Sequence, residues 1–322
     1  MKDFVDIISN AKKTILSEVK SISLLVDYID DGFAKIVSLI LQSKGRIVVT
    51  GIGKSAHIAT KIVATLNSTG TPAVFMHATE AIHGDLGMIQ TDDIVLCLSR
   101  SGNTAEIKVL VPLLKRGGNT LIAMVSEKDS YLAQHSDYII HSYVEREACP
   151  YNLAPTTSTT AQLVLGDALA MALLQQRKFS PEDFAKFHPG GSLGKRMYLH
   201  VSDLMDESKK PQVSPTQSIS EVIMEISSKR LGATAVISDT QTLLGVITDG
   251  DLRRMLEKTS DVSNLKAADI MTKNPKCIGA DELAIVAFNS MEENNITQMI
   301  VSEGETYLGM IHLHDLIKEG IV

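Results

Sequence analysis

Two segments rich in glycine and hydroxyl residues have the composition of a site for a small anion. TGIGKS (50–55) and SRSGNTAE (99–106) each follow a short β-branched run. Glycine lets the backbone approach a ligand, and the free amides at a helix start attract negative charge. The candidate binding residues in these segments are Gly51, Gly53, Ser55, Ser99, Ser101 and Thr104.

Each segment alone has other interpretations. A Walker A loop would need glycine at position 48, which is Val48. A dinucleotide fingerprint is formally present as Gly51, Gly53 and Ala56, but the next predicted strand ends in His77 instead of the expected acidic residue, and Glu80 follows three residues later. The second segment could be an ordinary helix N-cap. Two such loops at the carboxyl ends of parallel strands form a crevice, which favours a phosphosugar site.

Four residues near these loops or in irregular stretches have side chains that move protons or offset charge. They are Lys54, Glu106, Glu147 and His188. Each also has an ordinary structural interpretation, because an exposed lysine, a first-turn glutamate, a solvated glutamate and a lone histidine are common. The residues alone leave both interpretations open.

The elements that must position these residues alternate between strand and helix. Apolar β-branched runs lie at 46–51, 73–78, 93–99, 120–126 and 137–143. Helical patterns lie near 54–67, 80–88, 103–116 and 159–177, and two more helices precede them in residues 1–45. Strands that are apolar on both faces predict a parallel sheet between two helical layers, an α/β fold.

After a glycine-rich break at 188–197 the pattern changes to a repeat. GVITDGDL (245–252) and GMIHLHDL (309–316) align at a period of about 65 residues. Each copy reads as helix, strand, turn, strand and closing helix, and Ser218 with Glu221 predicts a capping box. We therefore expect domains at 1–198, 201–261 and 267–322.

Composition excludes several classes of protein. The 322 residues carry 44% hydrophobic side chains and a net charge of −7, which fits a globular chain and argues against nonspecific nucleic-acid binding. The three cysteines form no CxxC pair, and Cys97 lies in an apolar run as a buried thiol would. Acidic residues and lysines interrupt every apolar stretch near the N-terminus, which argues against a signal peptide. No run reaches the roughly 20 apolar residues of a membrane span. We expect a cytoplasmic protein.

Several long motifs, in order, resemble one family. GIGKSAHIATKIVATLNSTGTP, HATEAIHGDLGM, SRSGNTAE, EREACPYNLAPTTSTT and FHPGGSLGKR are similar to the sugar isomerase (SIS) domain of arabinose 5-phosphate isomerases. The C-terminal repeat resembles a tandem CBS pair. The resemblance implies an aldose–ketose isomerase that joins D-ribulose 5-phosphate and D-arabinose 5-phosphate through an enediolate. It also implies a homo-oligomer, with a tetramer as the expected form, and a product that supplies the acid Kdo of lipopolysaccharide or capsule.

The resemblance gives roles to individual residues. It implies that Lys54, Glu106, Glu147 and His188 are catalytic. It adds Gly70, Thr71, His77 and His83 to the substrate-binding residues. It links His77 to zinc, but an enediol route needs no metal, so we expect no required cofactor and read any zinc as incidental or inhibitory.

The CBS pair suggests a regulatory ligand. In such units a threonine and an aspartate hold a nucleotide ribose, and the matching residues are Thr248 and Asp251, with Asp315 in the second copy. A nucleotide or nucleotide-sugar ligand and a purely assembling role remain equally open. Two other functions also remain: an isomerase of a hexose 6-phosphate and a noncatalytic phosphosugar sensor. The first 45 residues are too short and not basic enough for the DNA-binding part of a typical sensor.

Overall fold

The structure is a computed structural model and describes residues 2–259 and 261–321. The chain divides into two compact units, the first ending at Phe184 and the second beginning at Ala185. We expected the first domain to extend to residue 198. The segment from Ala185 onward groups with the second unit, where Lys195 Nζ donates to Glu319 O (2.8 Å) and Arg196 Nε donates to Ile321 O (2.7 Å). The domain boundary at residue 198 stays a prediction.

The first unit is an alternating α/β arrangement. Its elements are α1 (Lys2–Leu24), a 3-10 helix (Leu25–Tyr28), α2 (Asp31–Gln42), β1 (Ile47–Gly51), α3 (Lys54–Ser68), β2 (Ala73–His77), α4 (Ala78–Ala81), a 3-10 helix (Asp85–Met88), β3 (Ile94–Ser99), α5 (Ala105–Gly117), β4 (Thr120–Val125), α6 (Tyr131–His135), β5 (Tyr138–His141) and α7 (Thr157–Gln176). The five predicted strands are confirmed within a few residues. Strands β1, β3 and β4 are almost completely buried apolar runs, whereas β2 and β5 are only partly buried.

The five strands form one parallel sheet in the order β2-β1-β3-β4-β5. The order reverses at β1, because β2 lies on one side of it and β3 on the other. The loops that leave the carboxyl ends of β1 and β3 therefore diverge from neighbouring strands. This is where α/β sheets bind ligands, and both glycine-rich segments lie here.

Alternate strand residues pack on opposite faces of the sheet. Val49 belongs to a core that includes α2, α3 and α7, whereas Val48 and Cys97 belong to a core that includes α5. Burial on both faces explains the unbroken apolar strands. Cys97 is a buried thiol, as predicted, and burial raises its pKa to about 12.

Helix α7 is the long apolar helix of this unit. Among the described residues it alone has the length and composition to cross a membrane, but half of its apolar window is buried inside the protein, as in a core helix. Gly166 of α7 lies so close to α3 that an added Cβ would be 2.4 Å from Ile62 Cδ1. The two helices are thus in close contact because position 166 has no side chain.

The predicted helix at 80–88 is wrong in extent. The chain forms only α4 and the 3-10 helix Asp85–Met88, separated by Gly84 with φ of 132°. Glycine can adopt this backbone conformation, but the conformation is not helical, so the helix cannot continue through Gly84.

The second unit contains the predicted repeat. Its elements are α9 (Ser192–Tyr198), α10 (Val201–Leu204), β6 (Gln212–Val213), α11 (Ile219–Lys229), β7 (Ala233–Ile237), β8 (Leu243–Thr248), α12 (Asp249–Lys258), α13 (Ala267–Ile270), β9 (Thr272–Lys273), β10 (Cys277–Ile278), α14 (Ala284–Glu293), β11 (Gln298–Glu303), β12 (Thr306–His312) and α15 (Leu313–Lys318). Helix α8 (Pro181–Phe187) crosses the division between the units.

Both copies of the repeat have the same central hairpin. Strands β7 and β8 are antiparallel with an irregularity at Val236/Ile237, and β11 and β12 are antiparallel with one at Val301/Ser302. The predicted capping box is confirmed: Ser218 N donates to Glu221 Oε2 at 2.7 Å, and Glu221 N donates to Ser218 Oγ at 3.4 Å. A shared apolar cluster that includes Ala235 and Tyr307 joins the two copies.

Candidate active site

The loop after β1 exposes the start of a helix. Gly53 has φ of 57° and ψ of −128°, and it precedes α3 without any side-chain cap. A residue with a Cβ rarely adopts this conformation, so glycine is required here. Lys54 is the exposed first residue of α3, and Ser55 follows it half-buried. The loop presents uncapped amides and an ammonium group, the partners that an anionic ligand needs.

The loop after β3 is held by its own hydroxyl groups. Gly102 N donates to the buried Ser99 Oγ at 3.0 Å, and Ile107 N donates to Thr104 Oγ1 at 3.5 Å. Ser101 is exposed, and its Oγ accepts from Asn103 N at 3.4 Å. Ser99 and Thr104 therefore shape the loop, and Ser101 lies at its surface. Glu106 is half-buried in the first turn of α5, immediately after this loop.

The strand register brings a third loop to the same edge of the sheet. His77 pairs with Gly51 at the ends of β2 and β1, and Gly51 pairs with Leu98 of β3. The Nδ1 atom of His77 accepts a hydrogen bond from Thr79 N at 3.3 Å. His83 is exposed beyond α4. The carboxyl ends of three adjacent strands thus carry sequence-predicted binding residues.

The residues offer little for zinc at His77. Within the described parts of the chain, no group of three or more histidine, cysteine, aspartate or glutamate side chains is placed to hold a metal ion. A structural or catalytic zinc site needs three or four such ligands. The residues present therefore do not fit a resident zinc at this histidine.

Gly70 and Thr71 lie in the turn between α3 and β2. Gly70 has φ of 85°, and an added Cβ would be 2.6 Å from the ring of Phe179. Thr71 is buried, and its Oγ1 has no hydrogen-bond partner. This turn is at the amino end of β2, whereas His77 is at its carboxyl end. Within this unit, these two residues are separated from the crevice by the length of one strand.

Glu147 lies between β5 and α7 and is fully buried, with its carboxylate beside the loop that follows β3. Its Oε1 lies 3.3 Å from Arg100 Nε, and Arg100 comes directly after the last residue of that strand. The Oε2 atom accepts hydrogen bonds from Thr156 N (2.9 Å), Ser158 N (3.1 Å) and Thr156 Oγ1 (3.3 Å). Glu147 is therefore not a solvated surface charge, and the fold brings it to the edge of the sheet that carries the glycine-rich loops.

The surroundings of Glu147 favour its charged form. Burial alone would raise the pKa of this carboxyl group, but the hydrogen bonds from Ser158 and Thr156 and the charge of Arg100 lower its pKa below the ordinary value. Glu147 is an ionised carboxylate at neutral pH. An ionised, buried carboxylate beside the two glycine-rich loops has the chemistry to accept a proton from a sugar ligand.

Comparison with known proteins covers almost the whole chain. An SIS domain model matches residues 39–172, and a CBS domain model matches residues 201–258 and 267–321. The arabinose 5-phosphate isomerase KdsD of Pseudomonas aeruginosa is 46% identical over 324 residues, covering 100% of this chain and 99% of the relative. The chain belongs to the arabinose 5-phosphate isomerase family. The Yersinia pestis KdsD protein is 45% identical, with 99% and 97% covered.

Solved structures match more than half of this arabinose 5-phosphate isomerase family member. A structure of an Escherichia coli CFT073 protein in complex with arabinose 5-phosphate has a TM-score of 0.56 and 42% identity, covering 57% of this chain and 98% of that one. A putative sugar-phosphate isomerase from Listeria monocytogenes has a TM-score of 0.55 and 35% identity, covering 57% and 96%. These matches confirm the predicted SIS fold.

Sequence reasoning missed three residues of this candidate site. Arg100, Thr156 and Ser158 hold the two oxygens of Glu147. Arg100 lies within a segment that the sequence already marked, but its charge gave no indication that a glutamate 47 positions later would face it. Thr156 and Ser158 flank the start of α7, where hydroxyl residues are common as caps.

His188 belongs to the second unit. It is half-buried after α8, where its backbone N donates to Ala185 O and its carbonyl accepts from Gly191 N, both at 3.1 Å. Gly194 packs against the same carbonyl, since an added Cβ would be 2.3 Å from it. The segment FHPGG is therefore a tightly folded turn.

The CBS pair encloses a cavity of about 760 Å³. Its lining includes Thr248, Asp251 and His312, but not Asp315. Both oxygens of Asp251 have partners: Oδ2 accepts from Thr248 N (2.9 Å), and Oδ1 accepts from Arg254 Nη2 (2.6 Å). Burial would raise the pKa of Asp251, but its contacts with Thr248 and Arg254 lower it. Asp251 is thus charged and paired with Thr248 and Arg254.

Proposed function

We propose that this protein interconverts D-ribulose 5-phosphate and D-arabinose 5-phosphate. The observation that carries the proposal is the buried, ionised Glu147 beside the loop after β3. A full-length relationship to arabinose 5-phosphate isomerases at 42–46% identity supports the same activity. Uncapped amides at α3 and the hydroxyl-lined loop before α5 supply the groups that a terminal phosphate needs.

The reaction moves one proton between adjacent carbons. A carboxylate, from Glu106 or Glu147, takes a proton from C1 of the ketose, and the bonding electrons form the C1–C2 double bond. The C2 carbonyl oxygen then carries negative charge, which the ammonium group of Lys54 stabilises. Return of the proton to C2, gain of a proton at the C2 oxygen and loss of one from the C1 hydroxyl complete the aldose. His188 or the second glutamate transfers the oxygen-bound protons.

The reaction as written uses only side chains of this protein. Every proton that leaves one carbon or oxygen is returned to another, so no oxidant, reductant or metal ion enters the balance. We propose that the enzyme needs no cofactor, and that any zinc bound at His77 is incidental or inhibitory.

The proposed cellular role follows from the relatives' names. We infer that the D-arabinose 5-phosphate formed supplies Kdo for lipopolysaccharide or capsule, in the cytoplasm. The sugar phosphate would then be consumed by an enzyme that extends it to an eight-carbon acid.

The activity can be tested with purified protein and D-ribulose 5-phosphate in deuterated water, followed by NMR with and without EDTA. The proposal expects D-arabinose 5-phosphate in both samples, with deuterium at C2 from exchange of the transferred proton. Absence of product in folded protein that binds the sugar would contradict it. Parallel samples with hexose 6-phosphates test the alternative substrate, and binding without turnover of any sugar would indicate a sensor.

We propose that the protein assembles as a homo-oligomer, with a tetramer as the expected form. Helix α1 supports this, because Phe4, Ile8, Ile15 and Val19 recur at helical spacing and are all more than half exposed. A contiguous apolar face of this kind marks an interaction surface. A second copy of the same chain is the occupant that we propose.

We propose that the CBS cavity binds a nucleotide or nucleotide sugar. Its lining combines Arg254 and Lys276, which suit phosphate, with Thr248 and Asp251, which suit a ribose. A ligand that binds only the folded protein raises the free energy of unfolding by RT ln(1 + [L]/Kd), and so raises the melting temperature. A thermal-shift panel of nucleotides and nucleotide sugars should therefore yield at least one shift, and a panel without any shift would favour a purely assembling role.

A further inference from the structure

The two oxygens of Glu147 have different surroundings. Oε2 accepts three hydrogen bonds, from Thr156 N, Thr156 Oγ1 and Ser158 N. Oε1 is buried and accepts no hydrogen bond, and it faces the guanidinium of Arg100 at 3.3 Å from Nε. One oxygen is therefore saturated by donors, and the other keeps its lone pairs for a proton.

We propose that Arg100 is a positioning residue that holds Glu147 with Oε1 as its proton-accepting oxygen. This inference rests on the proposed isomerase function and adds a residue to its site. Arg100 attracts the carboxylate without donating a well-aligned hydrogen bond to Oε1. It therefore stabilises the charge and leaves the lone pair open.

The place of Arg100 in the fold makes it suitable for this task. It comes directly after the last residue of β3, between Ser99 and Ser101 of the loop that we assign to the phosphate. Its backbone carbonyl accepts from Ser126 N at 3.1 Å, which ties the residue to β4 and its loop. The guanidinium therefore starts from a rigid strand end, and one residue connects the phosphate loop with the buried carboxylate.

The charge on Glu147 is set by groups from three segments. Arg100 faces it from the end of β3, and the uncharged Thr156 and Ser158 face it from the start of α7. Asn152 Oδ1 accepts from the backbone N of Glu147 at 2.7 Å and belongs to the same irregular loop. Among these contacts Arg100 contributes the charge. Removal of its charge leaves the Oε2 hydrogen bonds in place, so Glu147 stays in its pocket but is more easily protonated.

The test compares pH profiles of kcat/KM for the full-length enzyme with D-ribulose 5-phosphate. Arg100→Gln removes the charge, Arg100→Lys keeps it on a different geometry, and Arg146→Gln removes one positive charge from the exposed neighbour of Glu147. An opposite charge nearby lowers a carboxylate pKa by about 1–3 units. Because the Arg100 side chain is 37% exposed, we expect the acid limb of Arg100→Gln to move up by about 1 pH unit.

We expect a smaller upward movement in Arg100→Lys, because its ammonium group is a compact point charge on a flexible stem. The acid limb of Arg146→Gln should match the wild-type limb. An acid limb that does not move in Arg100→Gln would overturn the proposal, whether or not turnover falls. If Arg100→Gln does not fold, Arg100→Met removes the charge from a side chain of similar length, and the same outcome decides.

A second measurement does not depend on activity. Glutamate labelled with ¹³C at its carboxyl carbon reports the titration of Glu147, whose signal is identified by its loss in Glu147→Gln. The midpoint should be higher in Arg100→Gln than in wild type. An equal midpoint would overturn the proposal even in a protein that isomerises its sugar. A raised midpoint in a protein without isomerase activity would uphold the contact and refute the proposed function.

Discussion

Asp93 and Arg46 form an ion pair at the edge of the sheet opposite to the candidate site. Arg46 Nη2 lies 2.9 Å from Asp93 Oδ2, and Arg46 N donates to Asp93 Oδ1 at 2.8 Å. These residues immediately precede β1 and β3, the strands whose other ends carry the glycine-rich loops. Each of these residues is thus linked, through its strand, to one wall of the crevice.

The first prediction is that the Asp93–Arg46 ion pair contributes to the stability of the fold and not to turnover. Asp93→Asn should lower the free energy of unfolding by about 3 kcal/mol, because it leaves a guanidinium and two backbone donors without a charged partner. Urea unfolding measures the effect, and the turnover of the protein that remains folded should be unchanged. The exposed neighbour provides the control: Asp92→Asn should cost much less. Equal losses in both variants would contradict this role for Asp93.

The second prediction is the pH dependence of that contribution. Burial would raise the pKa of Asp93, but hydrogen bonds from Arg46 and Gln90 lower it in the folded protein. The stabilisation is therefore present above the ordinary aspartate pKa and is lost as pH falls through the lowered value. The difference in unfolding free energy between wild type and Asp93→Asn should shrink as pH is lowered from 7 to below 4. A constant difference across that range would be inconsistent with the ion pair.

The third prediction separates the two glutamates. We expect Glu147→Gln to lose about 10²–10⁴-fold in turnover, and also to lose exchange of the carbon-bound proton with deuterated water, because Oε1 is the open proton acceptor. Glu106→Gln should lose turnover but retain measurable exchange, since it transfers oxygen-bound protons. NMR of the substrate pool measures both quantities in one sample. The reverse pattern would make Glu106 the carbon base, and near-normal turnover in both variants would refute both assignments.

The fourth prediction tests the loop after β1. Gly53→Ala should raise KM for the sugar phosphate by about tenfold, or ~1.4 kcal/mol, because its backbone conformation is strained for any residue with a Cβ. An added Cβ would meet nothing within 4 Å, so steric overlap is not the cause. Gly87→Ala is the control, since Gly87 also has open space and lacks a positive φ. Steady-state kinetics of both variants measure KM. If Gly53→Ala has the same KM as Gly87→Ala, the loop after β1 does not bind the phosphate.

The fifth prediction concerns assembly through α1. The double variant Ile8→Glu with Ile15→Glu should shift the protein to a smaller species in light scattering, because two charges would be buried in the proposed contact. Lys13→Glu changes the net charge by the same amount on the opposite face of the helix, and should leave the mass unchanged. An unaltered mass for the double variant would exclude this face from the interface.

The fold was largely predictable because its signals are local. Strands β1, β3 and β4 are apolar runs buried on both faces. The capping box of Ser218 and Glu221 is complete within four residues. Short strands such as β6 and β9 escaped notice because two residues carry no periodicity. The helix expected at 80–88 failed because Gly84 adopts a conformation that interrupts it.

The candidate site was less predictable because its decisive contacts are not local. The two glycine-rich segments were found from their composition, and their meeting at one edge follows from the parallel sheet. The ion pair of Arg100 with Glu147 joins a strand end to an irregular loop, and neither residue indicates the other. The sequence also does not show that Glu147 is buried, because the same local sequence could equally place a glutamate in a solvated loop.

The close packing of Gly166 against Ile62 has a consequence for how this protein tolerates substitution. Helix α3 begins at the first glycine-rich loop, and α7 begins with the donors that hold Glu147. A larger residue at position 166 would push these helices apart and so alter the spacing between phosphate loop and carboxylate. In a deep mutational scan selected for growth, Gly166 should therefore be as intolerant as the residues that contact the sugar, although it lies well inside the helix.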